Sequence, residues 1–168
     1  MRDATKINEY FSGDKALFLI PLYQRKYAWQ RKHCERLFSD LMKVSKENRK
    51  SHFFGSIVAI KANDVDDDLL IIDGQQRITT ISLIILAAVQ AYRDNIIESE
   101  QGDEYVNDMV NKYLMAKYRK GDRKIKLRPI ESDRLAYDAI IAGESEKFIP
   151  ADKSGITHNY LLFYELIK

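Results

Sequence analysis

The chain has 168 residues, 45% of them hydrophobic and 31% charged, a composition that supports one good core and argues against disorder. Lys and Arg number 27 against 25 Asp and Glu, so the net charge of +2 is too small to mark a nucleic-acid-binding protein by field strength alone. A single cysteine, Cys34, excludes a disulfide framework and a cysteine-rich zinc site. No apolar stretch reaches the roughly 18 residues of a membrane span, and the start MRDATKINEY lacks the apolar region of a signal peptide, so a soluble, cytoplasmic protein is expected.

Ile7, Tyr10 and Phe11 predict a short helix over 4–12, ended by Gly13, and Ala16 to Ile20 reads as a strand stopped by Pro21. An amphipathic helix from about Gln30 to Asn48 follows from the spacing of Cys34, Leu37, Phe38, Leu41 and Val44. His52 to Lys61 and Leu69 to Asp73 are β-rich runs around the acidic stretch NDVDDD, which predicts a β-hairpin with a solvated acidic tip. The next helix, about Gln75 to Asp94, puts Ile78, Ile81, Ile85, Ala88 and Tyr92 on one stripe and Leu83, Ile84 and Leu86 on the other side. Apolar nearly all round, it is expected at the centre of the fold.

After Gln101-Gly102 the chain becomes more charged. Val106, Met109, Val110, Tyr113 and Leu114 predict a helix over Tyr105 to Tyr118, followed by a basic strand or turn, KGDRKIKLRP. Ser132 is an expected N-cap for a helix to about Ile141, and Thr157 an expected start for a last helix carrying Leu161, Tyr164 and Ile167. That helical pattern runs to Lys168 without a cap, the pattern expected of an N-terminal fragment. The basic segment Lys117 to Arg128 is expected as solvated surface, able at most to touch DNA phosphates.

Two segments carry chemistry. In LLIIDGQQRITT, Leu69 to Thr80, an apolar strand breaks at Asp73-Gly74 and a helix follows at once. The turn sets Asp73, Gln75, Gln76 and Arg77 at a helix N-terminus, where free N–H groups and the positive dipole end favour a phosphate, and the forked guanidinium of Arg77 matches phosphate geometry. Asp73 can hold Arg77 or a hydrated Mg2+, Gly74 lets the backbone approach a phosphate, and the glutamines can orient a water or bond a ribose or phosphate. The alternative is an ordinary turn in which Asp73 is merely the N-cap. There is no P-loop sequence. The second segment, IPLYQRKYAW at Ile20 to Trp29, mixes Tyr23, Tyr27 and Trp29 with Gln24, Arg25 and Lys26. It reads either as a loop pinned by aromatics or as one that grips a phosphate and stacks on a base. Asp64, Asp66 and Asp68 lack the glycine and distal glutamate of a calcium loop, and His33, His52 and His158 have no metal-ligand spacing.

IPLYQRKYAW, HFFGSIV (His52 to Val58) and LLIIDGQQRITT, in that order, resemble the N-terminal domain of GmrSD-type modification-dependent restriction endonucleases; weaker similarity, including ITHNYLLFYELI, covers the whole chain. The resemblance implies an α+β fold of the ParB and sulfiredoxin type, with a small β-sheet packed on helices over residues 1–100 and a helical extension over 101–168. It implies a nucleoside triphosphate, with Mg2+ or another divalent cation, bound at Gly74, Gln75, Gln76 and Arg77. Arg77 matches the last arginine of the ParB turn, whereas Gln76 stands where ParB carries its first, which shifts part of the phosphate grip to Arg25. Sulfiredoxin's reactive cysteine is missing from the turn, so sulfinic-acid repair is not expected.

These readings give Asp73 and Gln76 as candidate catalytic residues, Asp73 as the metal ligand, and Tyr23, Gln24, Arg25, Gly74, Gln75, Arg77 and Thr80 as nucleotide-binding. The expected function is nucleotide binding and hydrolysis regulating a DNA restriction endonuclease that acts on foreign DNA. The expected partners are a C-terminal nuclease domain or subunit and, through the full-length protein, DNA; a homo-oligomer is compatible. The alternatives are a DNA-binding module without hydrolysis and a ParB-like nuclease with a metal at Asp73.

Overall fold

Strand Phe18–Leu19 (β1) owes its place at the centre of a four-stranded sheet to two parallel neighbours. It pairs with Leu69–Asp73 (β3) on one side, Phe18 opposite Leu69, and with Leu127–Arg128 (β6) on the other, Phe18 opposite Leu127. Val58–Lys61 (β2) closes the β3 side as an antiparallel partner, with a bulge between Val58 and Ala59, giving the order β2-β3-β1-β6. The structure, a computed structural model, describes residues 11, 16–47, 53, 55–64, 67–117, 123–143 and 154–168. The helix expected over 4–12 lies outside them but for Phe11, which is helical, buried and edge-on to Phe18 at 5.1 Å between ring centroids.

The hairpin forms where alternating and β-branched residues predict it, but its acidic turn is not uniformly solvated. Asp68 is buried, and its carboxylate accepts the Leu17 N–H at 3.0 Å, which ties the hairpin to the start of β1; residues 65–66 lie outside the described set. Arg31–Lys46 (α1) is the expected amphipathic helix, burying Cys34 and Leu37. Gln75–Arg93 (α2) is the expected central helix. Its buried residues are Gln76, Ile78 to Thr80, Ser82, Leu83, Leu86, Ala87, Val89 and Ala91, so of the expected stripe only Ile78 is fully covered and Ile81, Ile85, Ala88 and Tyr92 are half-buried. A helix covered on several sides has no single stripe to read.

The segment after residue 101 differs from the expected helical extension. Gly102–Tyr113 (α3) stops before Tyr118, because Met115–Lys117 (β4) pairs antiparallel with Arg123–Ile125 (β5). Met, Ala and Lys are good helix formers, and here tertiary pairing overrides their weak local preference. The chain then enters the main sheet as β6. Lys126, expected on a solvated basic surface, is buried, and its ammonium donates to the carbonyls of Phe11 and of Lys112, the latter in the last turn of α3 where the helix dipole favours a cation.

Glu131–Ile141 (α4) begins with Ile130 at the N-cap, so Ser132 is inside the first turn and not its cap. Gly155–Ile167 (α5) begins two residues before the expected Thr157, capped by Ser154, whose hydroxyl accepts the Ile156 N–H at 3.1 Å. Helix α5 packs most extensively on α2, and the core joins Phe18, Ile71, Ile78 and Leu83 to Leu127, Tyr137, Ile156 and Phe163. The result is an α+β molecule of five described helices and a small mixed sheet; no described helix is long and apolar enough to cross a membrane.

Candidate functional site

The parallel strands β1, β3 and β6 run the same way, so their carboxyl ends open on one side of the sheet. There the chain leaves β1 at Ile20-Pro21, leaves β6 at Pro129-Ile130 to start α4, and leaves β3 at Gly74 to start α2. This is the side of an open sheet on which crevices for ligands form. A cleft there is lined by Ile20, Arg25, Tyr27, Gln75, Gln76, Thr79, Pro129, Ile130 and Asp133.

The turn into α2 depends on Gly74. It is the N-cap, at φ +92°, and a Cβ there would sit 3.0 Å from Ile57 Cγ1 and 3.1 Å from both Ile57 Cα and the Ser56 carbonyl oxygen. Asp73 is therefore the last residue of β3 and not the N-cap. Its carboxylate accepts from Arg77 Nη2 at 3.1 Å. Glycine offers no side-chain acceptor and the first turn of α2 holds no acid, so no side chain caps the positive end of this helix.

Arg77 is only partly available. Its Nη2 also donates to the Ser56 carbonyl, its Nε is buried without a partner, and its guanidinium lies against Gly55, where a Cβ would meet Nη1 at 3.0 Å. The stretch Gly55 to Ile57 is thus the backing of the DGQQR turn: Gly55 makes room for Arg77, and Ser56 and Ile57 press on Gly74.

The IPLYQRKYAW loop is held to the same turn. Gln75 Nε2 donates to Gln24 Oε1 at 2.8 Å, and Gln24 Nε2 donates to the Ile72 carbonyl at 2.9 Å. Gln76 spans the loop backbone as a peptide group would, accepting the Ala28 N–H at 2.8 Å and donating to the Lys26 carbonyl at 3.1 Å. Thr80, fully buried, donates to the Gln76 carbonyl at 2.8 Å and meets the Tyr27 hydroxyl at 2.8 Å, so it braces the turn from behind. Burial raises the Tyr27 pKa, with the nearby Cys34 adding to the effect, and burial likewise raises that of Cys34; both stay protonated. In contrast Leu22 is 84% and Tyr23 73% exposed. Arg25 is exposed, lines the cleft and has no hydrogen-bond or ion-pair partner among the described residues.

Of the sequence-predicted site residues, Gln24, Arg25, Gly74, Gln75, Gln76 and Arg77 meet at this turn and loop, Asp73 sits at its edge, Tyr23 stands beside it in solvent, and Thr80 lies beneath. Two residues escaped sequence reasoning. Asp133, buried in the first turn of α4, accepts the Tyr27 N–H at 2.6 Å, and Asn159 of α5 donates to the Trp29 carbonyl at 2.8 Å and to the Tyr27 hydroxyl at 3.3 Å. A signal existed for Asn159, a polar residue beside Thr157 in the otherwise apolar ITHNYLLFYELI. None existed for Asp133.

The arrangement offers an anion a cationic side chain, an uncapped helix N-terminus and amide donors. Among the described residues no three His, Cys, Asp or Glu side chains form a metal-ligand group. A single carboxylate, Asp73, fits a Mg2+ ion that keeps its waters and arrives with phosphate oxygens, once Arg77 shares or releases it. The cleft encloses about 10 Å3, room for about one water, whereas small-molecule sites occupy roughly 300–1,000 Å3.

A family model described as the GmrSD restriction endonuclease, N-terminal domain, matches residues 7–168. No curated protein matches the chain. With that match running to the last residue, and with IPLYQR and DGQQR meeting at one cleft, the chain belongs to the family of N-terminal domains of GmrSD restriction endonucleases, and so to the parts from which a DNA-restriction enzyme is built.

Proposed function

We propose that this domain binds a nucleoside triphosphate with Mg2+ across the turn Gly74 to Arg77, and that hydrolysis there regulates DNA cleavage by a nuclease domain or subunit acting on foreign DNA. The observation that carries the reading is the meeting of the acid-free N-terminus of α2 with the unpaired Arg25 at the carboxyl ends of three parallel strands. Phosphates bind by such N–H groups and by a forked cation. Because the enclosed space is so small, the nucleotide lies over the cleft, phosphates on the turn and base toward the exposed Tyr23.

The roles then divide by what each side chain already does. Arg25 supplies the exposed charge, Gln75 and the first-turn N–H groups of α2 contact phosphate oxygens, and Gln76 and Thr80 keep loop and turn in register. Asp73 is the one acid at the turn, placed to order an attacking water. Mg2+, when bound, neutralises charge on the phosphates.

A thermal-shift panel of the four ribonucleoside triphosphates, each with and without Mg2+, tests this. A ligand at 100 times its Kd adds about 2.7 kcal/mol, which for a chain of this size raises Tm by about 5 to 10 °C. A Mg2+-dependent rise with at least one triphosphate is expected; no shift at millimolar concentration contradicts the proposal.

A second reading is favoured by the 84% and 73% exposure of Leu22 and Tyr23 beside Arg25 and Lys26. An exposed aromatic flanked by cations also suits stacking on nucleic acid. Binding to DNA that falls steeply with salt and ignores Mg2+-nucleotide would favour it.

A further inference from the structure

Between Lys26 and Gln30 the chain has no regular secondary structure, yet four of its backbone groups are bonded by side chains. No strand or helix backbone provides the partners. The Tyr27 N–H goes to the Asp133 carboxylate, the Ala28 N–H and the Lys26 carbonyl to Gln76, and the Trp29 carbonyl to Asn159. The loop that carries Arg25 is therefore a strap fastened by three side chains from three helices. Only the Gln76 fastening belongs to the DGQQR turn.

The other two lie outside that turn, on α4 and α5. Asp133 is buried in the cleft wall, and its carboxyl oxygen accepts the Tyr27 N–H at 2.6 Å. Asn159 is buried on α5 and places both hydrogens of its amide, one on the Trp29 carbonyl and one on the Tyr27 hydroxyl. That hydroxyl in turn donates to Thr80, whose own hydroxyl donates to the Gln76 carbonyl. Strap, turn and α5 thus share one directed chain of hydrogen bonds. Removing either fastening leaves a buried polar group without a partner, which the strap relieves by moving toward water.

We propose that Asp133 and Asn159 are positioning residues for the cleft, holding the Gln24–Trp29 strap so that Arg25 faces the first turn of α2, and that α4 and α5 thereby set the affinity of the site for phosphate. The inference rests on the nucleotide reading for its effect on affinity. Its structural half stands by itself, because the strap carries Trp29, the sole tryptophan of the chain, as a reporter.

The test uses Asp133→Ala, Asp133→Asn, Asn159→Ala and Asn159→Asp. Trp29 emission and acrylamide quenching are read without nucleotide, and Mg2+-ATP and Mg2+-UTP affinity by calorimetry on every variant whose circular dichroism matches the wild type. In Asp133→Ala and both Asn159 variants Trp29 becomes more accessible to quencher, and affinity falls about tenfold, the factor equivalent to about 1.4 kcal/mol. Asp133→Asn, which keeps an oxygen for the Tyr27 N–H, recovers most of both losses, as a positioning role requires and a purely electrostatic one does not. Unchanged quenching in Asp133→Ala and Asn159→Ala, or an Asp133→Asn as impaired as Asp133→Ala, overturns the proposal. If the alanine variants do not fold, hydrogen exchange in the wild type decides. The Tyr27 and Ala28 amides are then slowed at least about 100-fold relative to free peptide, and fast exchange overturns it. If the wild type binds neither nucleotide, the nucleotide reading fails, while quenching and exchange still settle the strap.

Discussion

A methyl group at residue 74 would have to enter space already held by Ile57 and the Ser56 carbonyl, on a backbone at φ +92° that L side chains rarely adopt. Gly102 has a comparable φ of +71° but open space around it. The pair separates conformational strain from collision. Gly102→Ala is expected to cost about 1 kcal/mol, the strain alone, and Gly74→Ala about 2 to 4 kcal/mol, strain plus displacement of packed backbone. Urea unfolding of both variants checks this; equal losses would mean that the Gly55–Ile57 segment yields easily and does not back the turn. At this scale the sequence was most legible. DGQQR announced a tight turn at a helix N-terminus, and Arg77 was one of the two partners it offered Asp73. What spacing could not show is that Gln76 and Arg77 spend polar groups on the protein itself, because the partners Lys26, Ala28 and Ser56 offer only backbone atoms, which every residue has.

Helices were legible where one face is apolar, as in α1, and strands where β-branched residues cluster, as in β3. Met115–Lys117 was not, since nothing local in MAK favours a strand and its partner Arg123–Ile125 decides the matter. The C-terminal helix is tied to the end of α2 by the Tyr164 hydroxyl, which donates to Asp94 at 2.6 Å. That bond, chiefly, pushes the Tyr164 pKa up from its usual 10 to about 12. A raised pKa means that the folded state holds the proton more tightly, so the contribution is complete below pH 10 and is lost as pH rises from 10 toward 12. Tyr27 and Tyr137, raised by burial, act in the same direction. Wild type is accordingly expected to be more stable than Tyr164→Phe at pH 8, with the gap closing between pH 10 and 12. Melting curves across that range check it, and a gap that widens with pH contradicts the assignment.

The whole molecule gathers three motifs, distant in sequence, at the carboxyl ends of β1, β3 and β6. Family resemblance made that gathering foreseeable, whereas the contributions of Asp133 and Asn159 depend on how α4 and α5 fold back over the sheet. The core crosses from Phe18 to Phe163, so the cleft is coupled to the last helix by packing as well as by hydrogen bonds. The account stands on one claim, that Arg25 and the first turn of α2 form a phosphate site. Equilibrium titration of Mg2+-nucleotide into wild type, Arg25→Ala and Lys26→Ala tests it most directly, because the two cations are adjacent in sequence and only Arg25 lines the cleft. Arg25→Ala is expected to weaken binding by about tenfold or more, the loss of a charged hydrogen bond of about 1.5 to 3 kcal/mol, and Lys26→Ala by no more than about threefold. No binding by the wild type, or equal losses in the two variants, would contradict the site.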